Sequence, residues 1–374
     1  MQLLTKPNID KLSNKRISKE EAIDLYKNAD LIELGQWANE VRRKHHPDSE
    51  PVTFIIDRNI NYTNSCTAAC RFCAFAYWPG DKRTYTNSYE TIYEKTKELV
   101  ELGGTQLLLQ GGHNPDLKIE YYEDLFKKLR SDFPTVLLHA LSPSEIDHIC
   151  NVSKLDTKTV LERLKAAGLN SIPGGGAEIL VDRVRNEISP LKIKSDRWLG
   201  VMEEAHKLGL RTTATMMFGH VETLEERIEH MDRIRELQDK TNGFTAFISW
   251  TFQRDNSPLG KEFDEKESRG VLQNASPSDS LSYLKTLAIS RIYLDNVENF
   301  QSSWVTQGIK IGQLALAFGA NDMGGTMLEE NVVSAAGTLH CATIDEIVHS
   351  IQETGKDAAQ RDTGYKVIKT FLRK

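Results

Sequence analysis

Short apolar runs alternate with helical stretches along most of this 374-residue chain, and no other feature restricts its fold so strongly. The run at 105–109 (TQLLL) reads as a buried strand, and Tyr122, Leu125, Phe126 and Leu129 follow it as a helical stripe. A second run at 135–139 (TVLLH) precedes a helix bearing Val160, Leu161 and Leu164. Residues 170–172 lead into the turn PGGGAE, then into a helix with Trp198, Val201, Met202 and Ala205 on one face. The β-rich stretch 211–217 precedes a helix over 224–238, and 244–250 (FTAFISW) alternates like a strand before a helix around 281–289. Weaker strand signals at 299–303 and 316–321 flank a helix from Val305. Such alternation calls for right-handed βαβ units and a parallel sheet. Counting from Asn59, about eight units fit, which predicts a TIM-type (β/α) barrel, complete or nearly complete.

Two helices, over 18–29 and 30–43, precede the barrel and are expected to cover one end of it; Ser18 and Glu21 have capping-box spacing. The organisation expected is an N-terminal helical segment, 1–50, and a barrel over 51–374 that includes a C-terminal helical extension. The polar stretch 253–278, with Pro258 and Pro277, reads as a long loop beside the barrel mouth, either a lid or a solvated excursion. A net charge of -6 argues against a nucleic-acid partner, which needs a basic face. No apolar run approaches the roughly 20 residues that span a bilayer, and the N-terminus lacks the apolar core of a signal peptide. Five cysteines, an odd and low count, fit a reducing cytoplasm.

Three of those cysteines, Cys66, Cys70 and Cys73, fall in the pattern C-x3-C-x2-C. That spacing wraps thiolates around one inorganic centre, and the softness of sulfur selects zinc or iron–sulfur chemistry. A closed zinc site or a ferredoxin cluster wants a fourth protein ligand nearby, and none follows: the next histidine is His113, and the other cysteines are Cys150 and Cys341. Those two read as buried small hydrophobes. Three thiolates on a 4Fe–4S cube leave one iron open for chemistry.

This loop, with Phe72 just before its last cysteine, resembles the cluster loop of radical S-adenosylmethionine (SAM) enzymes. The resemblance implies a 4Fe–4S cluster on Cys66, Cys70 and Cys73, SAM chelated at the open iron, and an electron that cleaves SAM to methionine and a 5′-deoxyadenosyl radical. It implies SAM contacts in Phe72, in Gln110-Gly111-Gly112-His113, in Glu178 of PGGGAE, and in Met217 and Gly219 of TMMFGHVE. The run at 110–113 matches the family's Gly-Gly-Glu motif with His113 in the acidic position, so backbone is expected to carry more of that contact. In the adenine-packing strand, Thr215 replaces the family's first glycine and Met217 its isoleucine.

QGGHNPDLKIEYYEDL, HALSPSEI, SIPGGGAEILVDRVR and FGANDMGGTMLEENVVSAAG are similar to one subgroup of that superfamily. It contains the dehypoxanthine futalosine cyclases, the aminofutalosine synthases and the deazaflavin synthase subunits; TMMFGHVET with FTAFISWTFQ is most similar to the cyclases. The likeness implies a nucleoside-derived small-molecule substrate, an external one-electron reductant such as flavodoxin or ferredoxin, and no nucleic-acid or membrane partner. It implies hydrogen removal from the 4′ carbon of a ribose and addition of that carbon to a benzoate ring. Trp250 and Gln253 are candidates to hold the aromatic ring, with Phe247 left to the core by period-2 facing. Arg58 and Arg291 are candidates for the carboxylate, and His113, His220, Asp322 and Glu329 for the final base. Glu222 is read either as a SAM contact or as a helix-capping charge.

Overall fold

A computed structural model describes residues 16–269 and 279–373. The apolar run after Pro51 is one extended stretch that serves two neighbours in turn, as β1 (Val52–Ile55) and β2 (Asp57–Ile60). After it come β3 (Gln106–Leu109), β4 (Leu137–Ala140), β5 (Leu169–Ile172), β6 (Arg211–Phe218), β7 (Phe244–Thr251), β8 (Asn299–Phe300) and β9 (Asp322–Gly325). From β2 to β8 the strands pair in chain order and in parallel. β9 pairs in parallel with β1. It meets β8 through Asn321 N–H to Phe300 O at 3.1 Å and Ser302 N–H to Asp322 O at 2.8 Å. With β1 and β2 counted as one strand, the ring closes on eight, as the alternation predicts.

Helices between the strands bury the expected stripes: Tyr122, Leu125, Phe126 and Leu129 on Ile119–Asp132, and Trp198, Val201, Met202 and Ala205 on Ser195–Lys207. Leu224–Thr241 starts at a capping box made by Thr223 and Glu226. Phe247 is core, packed on Phe300. The two N-terminal helices, Lys19–Asn28 and Leu31–His45, begin at the Ser18–Glu21 capping box and at Asp30. They run along Leu224–Thr241 and Ser280–Tyr293 to the barrel end where β8 begins. There His45 and His46 bond the carbonyl oxygens of Asp295 and Glu298 at 3.1 and 3.2 Å.

Three expectations are corrected. The last strand is Asp322–Gly325, not 316–321. A glycine pair argues against a strand by propensity, but β9 needs it, because a Cβ on Gly325 would stand 2.3 Å from the Asp57 carboxylate. The C-terminal extension is only partly helical. After helix Ile344–Gln352 the chain makes a hairpin of β10 (Ala358–Arg361) and β11 (Val367–Phe371). β10 lies parallel to β1 on the side away from β9, and Gln360 Nε2 donates to Gly103 O just before β3 at 2.8 Å. This hairpin carries Arg361 and Tyr365 into the lumen. Finally, Cys150 is buried but Cys341 is exposed. The stretch 253–278 contains helix Pro258–Ser268, while 270–278 lie outside the described residues. Among the described residues no helix is long and apolar enough to cross a membrane.

Candidate functional site

The cysteine loop leaves β2 and is fastened to its neighbours mainly by backbone. Cys66 N–H donates to Tyr77 O at 2.9 Å, Thr67 N–H to His113 O at 3.1 Å, and Arg71 N–H to Ile188 O at 2.8 Å. Helix Pro258–Ser268 closes on it from outside: Leu259 N–H reaches Arg71 O at 2.7 Å, and Arg71 pairs with Glu262. Gly112 has to be glycine, since a Cβ there would lie 2.2 Å from Ser65 O. The second glycine of QGGH thus serves the cysteine loop. Gly111 N–H instead donates to Glu145 Oε1 at 2.9 Å, which also accepts from Tyr62 at 2.8 Å.

The three thiols are free, half-buried and at the same end of the barrel. Burial pushes the Cys70 thiol up to about 12, against the pull of nearby Lys192. Burial also raises the Cys73 thiol, although the N–H groups of Ala76 and Phe75 are aimed at its sulfur. Thiolates here need a cationic centre to form. Among the described residues no three His, Cys, Asp or Glu donors are gathered tightly enough for a single metal ion. A cube gives each sulfur its own iron corner, and the all-thiolate donor set fits it better than zinc.

Glu178 follows the glycine turn with φ +43 and is buried. Its carboxylate accepts from Lys192 Nζ at 3.1 Å and from Arg185 Nη1 at 3.5 Å. Burial opposes the Lys192 charge, but Cys70 and Glu178 outweigh it and raise the lysine's pKa. The same ammonium lies 5.4 Å from the Phe72 ring centroid, within cation–π reach. His113 stacks on His148 at 5.0 Å, and burial with Lys192 nearby lowers its pKa to about 3, so it is neutral. From β6, Met217 N–H donates to Glu178 O at 3.0 Å, and Gly219, at φ +91, donates to Glu222 Oε1 at 2.7 Å. Cysteine loop, QGGH, glycine turn and β6 end therefore converge.

Below them the lumen holds a cavity of about 290 Å³. Gln110, Glu178 and Trp250 line its mouth end, His139 and Ser171 its middle, and Arg361 and Tyr365 enter from the C-terminal hairpin. Trp250 is half-buried on its wall, while Phe252 is buried against Phe263.

Several candidates stand elsewhere. Arg58 faces outward, paired with Glu329 at 3.0 Å and with Glu98; Glu329 also takes Lys95, so neither is available to a substrate in the lumen. Arg291 is buried in a lattice of oxygens from Gly319, Val297, Glu298 and Asn321 and lies off the cavity. Asp322 is held in a two-pronged pair by Arg361 at 2.5 and 3.0 Å. His220 spends both ring nitrogens locally, on Met217 O and Val221 N–H. Glu222 organises the turn before helix Leu224–Thr241 and pairs with Arg227. Gln253 ties Thr251 to Thr338 and is not on the cavity wall. Each loss has one cause: residue type and strand-end position do not reveal which way a side chain points or what has already neutralised it.

Lys192, Glu145 and Arg361 were not anticipated. Lys192 sits in an ordinary run, SPLKIKSD, and Arg361 in a stretch read as a helical extension. Glu145 lies in HALSPSEI, in the first turn of helix Pro143–Ser153 where Ser142 caps its N–H; the Ser-x-x-Glu spacing reads as an ordinary helix start, and only the structure shows the acid buried.

Residues 60–234 match the family model described as the radical SAM superfamily, and 241–372 the one described as the CofH/MqnC C-terminal region. A protein of Halalkalibacterium halodurans named cyclic dehypoxanthine futalosine synthase is 46% identical, over 96% of this chain and 94% of its own. Its namesake in Streptomyces coelicolor is 45% identical, over 94% and 85%. A 5-amino-6-(D-ribitylamino)uracil–L-tyrosine 4-hydroxyphenyl transferase of Methanococcoides burtonii is 42% identical, over 94% and 96%. The crystal structure of methylornithine synthase superposes with a TM-score of 0.69 at 18% identity, covering 94% of this chain and 97% of that one; it bears on the fold alone.

Proposed function

This chain belongs to the radical SAM superfamily, in the group that holds the cyclic dehypoxanthine futalosine synthases, and we propose that it cyclises dehypoxanthine futalosine on the futalosine route to menaquinone. It is an enzyme that uses a 4Fe–4S cluster and SAM. When bound, that cluster supplies the electron that cleaves SAM to a 5′-deoxyadenosyl radical. Cys66, Cys70 and Cys73 would hold it.

What this chain's residues supply is placement. Glu178, held by Lys192 and Arg185, offers a fixed carboxylate for the SAM amino and ribose groups, beside the backbone at 110–112. Trp250 gives the lumen a flat apolar wall for the benzoate ring. The closed barrel, plugged below by the hairpin, excludes water and competing hydrogen donors while ribose and ring approach. An external one-electron reductant of the flavodoxin or ferredoxin type is the partner implied.

The observation that carries this reading is Trp250 on the cavity wall, in a chain 46% identical to a cyclic dehypoxanthine futalosine synthase along nearly its whole length. A second reading, as a sister enzyme, is supported by the 42% identity to the transferase. Anaerobically reconstituted protein offered dehypoxanthine futalosine, the aminofutalosine synthase substrate, and 5-amino-6-(D-ribitylamino)uracil with tyrosine tests both. Cyclised product with the first alone supports the cyclase; turnover of either other set assigns the sister reaction.

A further inference from the structure

A parallel barrel ordinarily fills its lumen with layers of branched apolar side chains. Here one layer is mostly polar. Asn59 pairs in register with Leu108, Leu108 with His139, and His139 with Ser171, and all four line the cavity. Gln110, among the residues assigned to SAM, stands two positions beyond Leu108 on the same face. The row therefore lies roughly 6.5 Å below the SAM contacts.

The protein uses only part of this row's hydrogen-bonding capacity. Asn59 lines the cavity and is 5% exposed, and among the described residues its buried Oδ1 has no hydrogen-bond partner. His139, 8% exposed, meets Ser171 Oγ through Nδ1 at 2.6 Å, which leaves Nε2 for the cavity. Burial and nearby Arg361 lower its pKa to about 3, so the ring is neutral. Rotation of the Ser171 hydroxyl then decides whether Nε2 donates or accepts.

We propose that Asn59, His139 and Ser171 form a shelf that holds the hydroxyl groups of the substrate's sugar directly beneath SAM. A neutral amide beside an imidazole that can either donate or accept suits hydroxyls, which do both. Asn59, His139 and Ser171 carry no positive charge to receive a carboxylate; of the arginines nearby, Arg361 is already paired with Asp322, and Arg211, next in register after Ser171, reaches out to Asn242 O. The assignment rests on the cyclase reading, whose substrate carries a ribose with an abstractable hydrogen.

Calorimetric titration of the cluster- and SAM-loaded protein tests it, with dehypoxanthine futalosine and analogues each lacking one ribose hydroxyl as ligands. Wild-type protein should bind at least one analogue about tenfold more weakly, the scale of one hydrogen bond to a buried group. Asn59→Ala deletes an amide that bonds no other described residue, and His139→Phe with Ser171→Ala removes both members of a hydrogen bond. Each should bind the parent compound about tenfold more weakly and discriminate less against that analogue. Parent affinity within about twofold of wild type, with discrimination intact, overturns the shelf. Loss of SAM affinity or iron in both variants also overturns it, because the row then supports the barrel and not the sugar. If wild-type protein cyclises the parent while the variants discriminate normally, the shelf alone fails. If wild-type protein neither binds nor cyclises it, the cyclase reading fails and the shelf with it.

Discussion

Lys192 Nζ lies 3.1 Å from Glu178 Oε1, and the same ammonium opposes the effect of burial on the Cys70 thiol. One cation thus couples the cysteine loop to the carboxylate after the glycine turn. Glu178→Ala should weaken SAM binding by about 1.5–3 kcal/mol, the range for a lost hydrogen bond to a charged group. Equilibrium titration of SAM onto reconstituted protein measures this. Unchanged affinity would return Glu178 to a scaffold role with Arg185.

Each of the three loop cysteines should carry one iron. Cys66→Ala, Cys70→Ala and Cys73→Ala proteins should lose the cluster's visible absorption and all SAM cleavage. Cys341→Ala, an exposed position, should keep both. A Cys70→Ala protein with full iron and sulfide would remove the assignment, and a requirement for Cys150 would point to a four-ligand centre.

The Asp322–Arg361 pair is buried and ties β9 to the C-terminal hairpin. Breaking such a pair from one side leaves an uncompensated buried charge and costs about 3–5 kcal/mol. Asp322→Asn and Arg361→Met should each lower the urea midpoint markedly, and the double variant should recover part of the loss. Single variants as stable as wild type would show that the pair is not what holds the hairpin.

Glu145 makes stability depend on pH. Burial pushes its carboxyl from the usual 4.5 up to about 7, although Ser142, Gly111 and Tyr62 hydrogen-bond to it. Between those values the folded chain keeps a proton that the unfolded chain releases, so stability falls as pH rises. The slope from this group is at most about 1.4 kcal/mol per pH unit. Glu145→Gln should flatten that part of the curve in urea unfolding followed from about pH 5 to 8. An identical slope in the variant would mean that other groups carry it.

Trp250→Ala should keep cluster and SAM binding but lose most cyclisation. Lost stacking costs about 0.5–1.5 kcal/mol in substrate affinity, and a misplaced ring slows the addition further. The expected symptom is 5′-deoxyadenosine formed in excess over cyclised product, read by chromatography. Wild-type rate and coupling would make Trp250 a packing residue.

Much of this was legible without coordinates, because covalent spacing and periodicity are local. The interval Cys66–Cys70–Cys73 states its own chemistry. The period-2 run at 244–250 separates Phe247 from Trp250 before any fold is known, and the stripes of Tyr122 and Trp198 name the helix faces that meet the sheet. What the chain order could not contain is which charges neutralise one another across it. Arg58 and Glu329 are 271 positions apart, and their pairing, with the outward face of Arg58, removes both from the list of substrate ligands. Asp322 loses its role to Arg361, which arrives on a hairpin where a helix was expected. Lys192 gains one only because the loop between helices Asp182–Ile188 and Ser195–Lys207 brings it beside Glu178 and Cys70. Cluster chemistry and barrel follow from sequence pattern; the occupants of the lumen follow from closure of the ring, since only tertiary structure brings β1 between β9 and β10 and decides which polar atoms remain unpaired inside.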